Sequence, residues 1–322
     1  MKLYGMVFSA AMLAAAMTQT AEARDYAPYL AVDGPHAVQL IQQDVPKLGL
    51  KAVTLAFLGT DGHCAVGWRG FHRQLPNDRL PNGEASVADL VAGLQKAGVE
   101  VILSFGGWLG ADPAGHCDSP EALQAVYQQV LDLYHVKQLD FDIEGPVVND
   151  TVAHKRRDQA LLALKKAHPD LVISFTLPVR PHGVPKGNGL EVLETARDDG
   201  YSPDIVNFMT MDYFTDPGPS GSMAKLTIRA MDNAARQMKE LGLSSKLGVI
   251  PMIGQNDNGY EIFTPDDAKA LMGYLAHKPD IVRLAIWSVE RDNGTCAGKQ
   301  QAADSCSGVE QEPWAYSTLF QQ

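Results

Sequence analysis

Beyond residue 23 the sequence holds no apolar run near the roughly 20 residues that a membrane-spanning helix needs. Cations are also short: 27 Lys and Arg stand against 38 Asp and Glu, a net charge of −11. Phosphate binding requires clustered cations, so nucleic acid is excluded as the main partner, whereas a neutral polymer is not. No glycine fingerprint for a dinucleotide follows any apolar run, which argues against an open, doubly wound sheet. There are only four cysteines. The pairs His63-Cys64 and His116-Cys117 match no common zinc spacing, so neither a metal nor an organic cofactor is expected. No linker, internal repeat or low-complexity tract divides residues 24–322. Oligomeric state has no signature at this level.

The N-terminus carries features of its own. Lys2 is followed by an apolar, alanine-rich stretch from Met6 to Met17, and Ala21-Glu22-Ala23 offers small residues at the two positions a signal peptidase reads. Residues 1–23 therefore read as an export signal, and residues 24–322 as a secreted protein, periplasmic or extracellular. Losing Lys2 and Glu22 leaves the net charge at −11. Four cysteines in an exported chain suggest two disulfides. Cys296 with Cys306 would close a short loop, and Cys64 with Cys117 would tie together two loops on one rim of the fold, each worth on the order of 2–4 kcal/mol.

Short runs rich in Val, Ile, Leu and Phe alternate with amphipathic stretches. Strands are expected at Tyr29–Asp33, Ala52–Phe57, Val99–Phe105, Leu139–Ile143, Leu171–Leu177, Asp204–Met211, Leu247–Met252 and Arg283–Trp287. Helix signals lie between them. Ser86 caps a helix that Gly98 stops; Ser119-Pro120-Glu121 and Thr264-Pro265-Asp266-Asp267 open two others. Ala160–Lys166, Leu190–Arg197, Ala224–Leu241 and a terminal turn around Trp314–Phe320 complete the set. Eight strands alternating with helices define an α/β protein, a single (β/α)8 TIM barrel.

The hexapeptide Leu139-Asp140-Phe141-Asp142-Ile143-Glu144 is the most informative segment. With a strand's period of two, Leu139, Phe141 and Ile143 face the covering helices, and Asp140, Asp142 and Glu144 point into the barrel. Each pair of residues advances about 6.6 Å, so three carboxyls climb in file toward the rim. Three neighbouring acids cannot all be ionised inside a protein, and at least one should hold a proton at neutral pH. A Glu with a raised pKa is what protonation of a leaving oxygen requires.

At these residues the chain resembles glycoside hydrolase family 18, the family of many chitinases, and in particular a bacterial and archaeal subset with an LDFDIEG run. It departs from the family's Asp-x-x-Asp-x-Asp-x-Glu signature at Lys137, and Gln138 replaces a frequent glycine. Ser104-Phe105-Gly106-Gly107 matches the family's Ser-x-Gly-Gly, Met211-Asp212-Tyr213 its Met-x-Tyr, and Trp287 its eighth-strand tryptophan. The resemblance implies hydrolysis of β-1,4 linkages in chitin or N-acetylglucosamine oligosaccharides by substrate-assisted, retaining catalysis. Glu144 would be the acid, Asp142 the stabiliser of an oxazolinium ion, Asp140 its deeper partner, and Tyr213 the residue orienting the acetamido oxygen. It further implies that Trp287, Met211, Ser104, Gly106 and Gly107 contact substrate; Asp212, Trp108 and Gln255, which follow the sixth, third and seventh strands, are candidates by position. Trp68 is a second candidate for stacking on sugar. About thirty residues separate the seventh and eighth strands, too few for the α+β insertion of some members, so an open cleft and endo-cleavage are expected. The rival readings are an endo-β-N-acetylglucosaminidase acting on N-glycans or related glycans, and a non-catalytic chitin-binding lectin.

Overall fold

The computed structural model describes residues 24–34, 36–69, 74–80, 85–108, 112–214 and 222–322. The expected export signal, 1–23, lies outside the described residues.

Eight parallel strands form the barrel in chain order. β1 comes in two pieces, Asp25–Tyr26 and Tyr29–Ala31; then follow β2 (Ala52–Gly59), β3 (Glu100–Gly106), β4 (Gln138–Asp142), β5 (Val172–Pro178), β6 (Ile205–Met209), β7 (Lys246–Ile250) and β8 (Ile281–Leu284). The split in β1 closes the ring. Its first piece pairs with β8 and its second with β2. The intervening Ala27 N–H bonds Leu284 O, while Pro28 O accepts from Thr54 N–H. Between the strands run α1 (37–47), α2 (Val87–Lys96), α3 (Pro120–Tyr134), α4 (Thr151–Ala167), α5 (Leu190–Asp198), α6 (Met223–Leu241), α7 (Pro265–Leu275) and, after β8, α8 (Ala315–Phe320). Among the described residues no helix is long and apolar enough to cross a membrane.

The capping chemistry forms as expected. Ser86, Ser119 and Thr264 each accept a backbone N–H of the first turn, and Thr264 with Asp267 makes a reciprocal capping box. Helix α1 had no sequence signal. Pro46 lies inside it, and the turn before, Leu40–Asp44, widens to a π-helix that absorbs the missing donor.

The main core lies between sheet and helices. Outward-facing Phe105 and Phe141 on adjacent strands stack at 5.0 Å, Tyr127 of α3 meets both edge-on, and Phe175 follows at 6.1 Å from Phe141. The barrel interior is polar by contrast. At its closed end Arg283 donates to Gln138 and, at 3.0 Å, to Asp25. The position where the family often has glycine is thus filled by a buried hydrogen-bonding side chain, and Lys137 is exposed at the strand's start. Between β7 and β8 stand a two-stranded hairpin, Gly254–Gln255 with Ile262–Phe263, and α7. Disulfides join Cys64 to Cys117 and Cys296 to Cys306.

Candidate active site

Asp140 is the deepest of the carboxyls on β4, 1% exposed. Five donors from four other strands converge on it: Tyr29 OH (2.9 Å), Ser104 Oγ (2.7 Å), Ser174 Oγ (2.5 Å), Thr176 Oγ1 (2.9 Å) and Asn207 Nδ2 (3.3 Å). Both of its oxygens act as acceptors. Asp142, one layer higher, is buried, and its Oδ1 has no hydrogen-bond partner among the described residues. Burial first, then the charges of Glu144 and Asp140, push its carboxyl well above the usual range, against a smaller pull from Arg69. A proton in this file therefore rests on Asp142 rather than being shed.

Glu144 ends the file where β4 gives way to a 3-10 turn, Gly145–Asn149. Burial, with Asp212 and Asp257 adding to it, lifts its pKa to about 7; Arg69 opposes them. Asp212 is itself raised to about 6, chiefly by burial and then by Asp257, whose backbone N–H nonetheless bonds Asp212 Oδ1 at 2.9 Å.

These acids open into a cleft of about 500 Å³ at the C-terminal ends of the strands. Asp142, Glu144, Trp108, Met211, Asp212 and Trp287 all line it. Trp287 stacks on Phe57 at 5.7 Å and meets Tyr29 at 6.1 Å, an aromatic floor on the β8–β1–β2 side. Ser104, Gly106 and Gly107 do not line it. They lie in the layer beneath and shape it. A Cβ on Gly106 would stand 2.2 Å from Asp142 O, and one on Gly107 would stand 2.8 Å from the Phe57 ring; both residues have positive φ.

Three further candidates lie off the cleft lining. Tyr213 is 2% exposed and absent from the cleft lining. Its N–H bonds Glu261 Oε2 at 2.8 Å, and its hydroxyl lies with Thr227 of α6 and Thr210, where burial drives it far above the usual phenol range. The chain turns at Asp212 (φ 45°) so that Met211 and Asp212, not Tyr213, reach the cleft. Gln255 is likewise buried; its N–H bonds Ser307 O at 2.7 Å, so the C-terminal segment covers it. Trp68 packs inside too, donating to Tyr134 OH at 2.7 Å. Lining residues without a sequence signal include Arg69, Arg180 and Phe214, each carried on a loop, and Tyr29, Phe57 and Thr176 from strands.

A barrel with a buried file of carboxyls ending in a neutral-pH acid, set in an aromatic-floored cleft at the strands' C-terminal ends, defines a glycoside hydrolase architecture. No family model matches the chain. Among solved structures, the catalytic domain of the hyperthermophilic chitinase from Pyrococcus furiosus is 30% identical with a TM-score of 0.75, over 92% of this chain and 93% of that one. Catalytic-site mutants of active domain 2 of the Pyrococcus furiosus enzyme, complexed with chito-oligosaccharides, align with the same TM-score at 29% identity, over 92% of each chain. Among curated proteins, a "probable bifunctional chitinase/lysozyme" of Escherichia coli K12 is 32% identical over 250 residues, 71% of this chain and 27% of the relative. Endochitinase 11 of Metarhizium anisopliae is 32% identical over 219 residues, 63% of this chain and 42% of the relative. The match thus spans less than half the length of either curated relative. The chain belongs to the chitinase family of glycoside hydrolases, family 18.

Proposed function

We propose that this protein hydrolyses internal β-1,4 linkages between N-acetylglucosamine units in chitin and chito-oligosaccharides, with retention of configuration. Glu144 protonates the glycosidic oxygen. The substrate's own acetamido oxygen attacks the anomeric carbon, and the resulting oxazolinium ion is stabilised by Asp142, which passes its proton inward to Asp140 as the cation forms and whose carboxylate is then strongly effective in a dry site. Asp140 holds the inner end of the file, and Glu144 then accepts a proton from the water that opens the oxazolinium ring. No enzyme nucleophile is needed, as in the substrate-assisted exceptions to the two-carboxylate scheme. Tyr213 has no part in this scheme. Trp287 supports the reacting sugar.

The observation that carries the reading is the pairing at the cleft of Glu144, just past the end of β4 and held near pKa 7, with the buried Asp142 that ends the strand two residues earlier. The open cleft favours endo-cleavage of soluble or amorphous chain. The reading includes the LDFDIEG subset, an export signal at 1–23 and a single catalytic barrel over 24–322, and the two disulfides are consistent with an oxidising compartment. Product analysis on chitin oligomers tests it. Wild type should release shorter oligomers as the β-anomer, and Glu144→Gln should lose on the order of 10²–10⁴ in rate. Near-normal hydrolysis by Glu144→Gln, or initial release of the α-anomer, would contradict it.

A further inference from the structure

β1 and β8 close the barrel, and the seam between them runs past the aromatic floor. Along it the ladder advances two residues at a time. Ala27 N–H bonds Leu284 O at 2.9 Å, and Tyr29 N–H bonds Ile286 O at 3.0 Å. Parallel pairing would next offer Ala31 N–H the carbonyl of Ser288. That carbonyl instead accepts Arg291 N–H at 3.1 Å and opens a 3-10 turn, Val289–Arg291. Trp287, just before it, commits both backbone groups to the β7 side, to Pro251 O at 3.0 Å and Ile253 N–H at 3.1 Å. A side chain takes the place in the ladder: Glu290 Oε1 accepts Ala31 N–H at 2.6 Å.

Glu290 is buried and stands on a fixed base. The next residue, Arg291, donates to Ile253 O at 2.9 Å and Gln255 O at 2.6 Å, and Asn293 Nδ2 bonds Glu290 O at 3.0 Å. Beyond Ala31 the chain continues to Asp33, whose carboxylate pairs with Arg69 at 3.5 Å. The Arg69 guanidinium carbon lies 5.2 Å over the Phe57 ring, and Phe57 stacks on Trp287. These contacts make a closed circuit around the floor, from Trp287 through Phe57, Arg69 and Asp33, and back through Ala31 and Glu290. Burial pushes the Glu290 carboxyl up to about 7. An apolar side chain would carry no such penalty, but it could not accept the Ala31 N–H.

We propose that Glu290 is a positioning residue for the hydrolysis: its side chain completes the β1–β8 seam and so fixes Trp287, under the reacting sugar, against Tyr29, the donor to Asp140. The proposal rests on the chitinase reading. Reach matters here rather than charge, since an amide oxygen at the same place accepts the same bond. With the seam open at Ala31, Trp287 and the file of acids no longer hold one register. The loss then falls on the transition state more than on ground-state binding.

Three variants assayed on chitopentaose separate reach from charge. Glu290→Ala should lower kcat about tenfold or more, with KM changed less than about threefold. Glu290→Asp, which keeps the charge but is one methylene too short, should fall with it. Glu290→Gln, which loses the charge and keeps the acceptor, should recover kcat to within about threefold of wild type. The chitobiose-derived thiazoline, a stable analogue of the oxazolinium ion, should bind Glu290→Ala more weakly by about the factor lost in kcat. Wild-type kcat in a folded Glu290→Ala, a Glu290→Gln no better than Glu290→Ala, a fully active Glu290→Asp, or a loss confined to KM would overturn the assignment. Should Glu290→Ala not fold, the Asp and Gln variants decide it. A wild type that cleaves no chitopentaose overturns the chitinase reading, and this assignment with it.

Discussion

Glu144 sits between opposed charges. Burial, Asp212 and Asp257 favour its neutral form, and Arg69 favours the ionised one. A group that must donate a proton loses activity as the pH rises through its pKa, so the alkaline limb of kcat/KM should fall near pH 7. Asp212→Asn removes a negative neighbour and should move that limb to lower pH by about half a unit to one unit. Arg69→Gln should move it the other way. A limb that stays in place in both variants would mean another group sets it. The same shift enters stability. A carboxyl whose folded pKa is raised contributes fully below its unfolded value, near 4.3, and loses that contribution as the pH rises toward about 7. Glu144→Gln should therefore unfold later than wild type at pH 8, by on the order of 1–3 kcal/mol, with the gap closing toward pH 4. Equal denaturation midpoints at both pH values would refute this.

Element by element, β4 is the most local in its logic. Its alternation placed Phe141 against Tyr127 and Phe175 outside, and Asp140 against hydroxyls inside, from one backbone period. The helix caps read equally well, since a Ser or Thr bonds a donor three residues on. Helix α1 was not legible, because Pro46 reads as a break and the π-turn that accommodates it has no side-chain signature. The docking of α8 was also hidden. Asp292, fully buried, accepts the N–H groups of Tyr316 and Ser317 at 3.1 and 2.7 Å and the Gln311 side chain at 2.7 Å. Asp292→Ala would leave these donors buried and unpaired, at a cost of about 2–4 kcal/mol in urea unfolding. A cost under about 0.5 kcal/mol would show that α8 docks on apolar contacts alone.

For the whole molecule the two disulfides act at different ranges. Cys64 and Cys117 are 53 residues apart and join the segments after β2 and β3; Cys296 and Cys306 are 10 apart. Loop entropy assigns them about 4 and about 3 kcal/mol respectively. Replacing the first pair by serine should lower the melting temperature by several degrees and by more than replacing the second. The reverse order would mean that strain or residual unfolded-state structure outweighs chain entropy.

The sequence by itself determined the barrel, the inward file of Asp140, Asp142 and Glu144, and the aromatic Trp287 at the strand end, because strand parity and helix caps are set by neighbours a few residues away. Tertiary structure decided which loop side chains meet that file. Tyr213 turns its ring inward toward Thr227 of α6 while its backbone N–H bonds Glu261, 48 residues on, and the Asp257 N–H is held by Asp212 across 45. Past the last ladder hydrogen bond the backbone no longer imposes a direction on each side chain, and contacts from distant parts of the chain supply it.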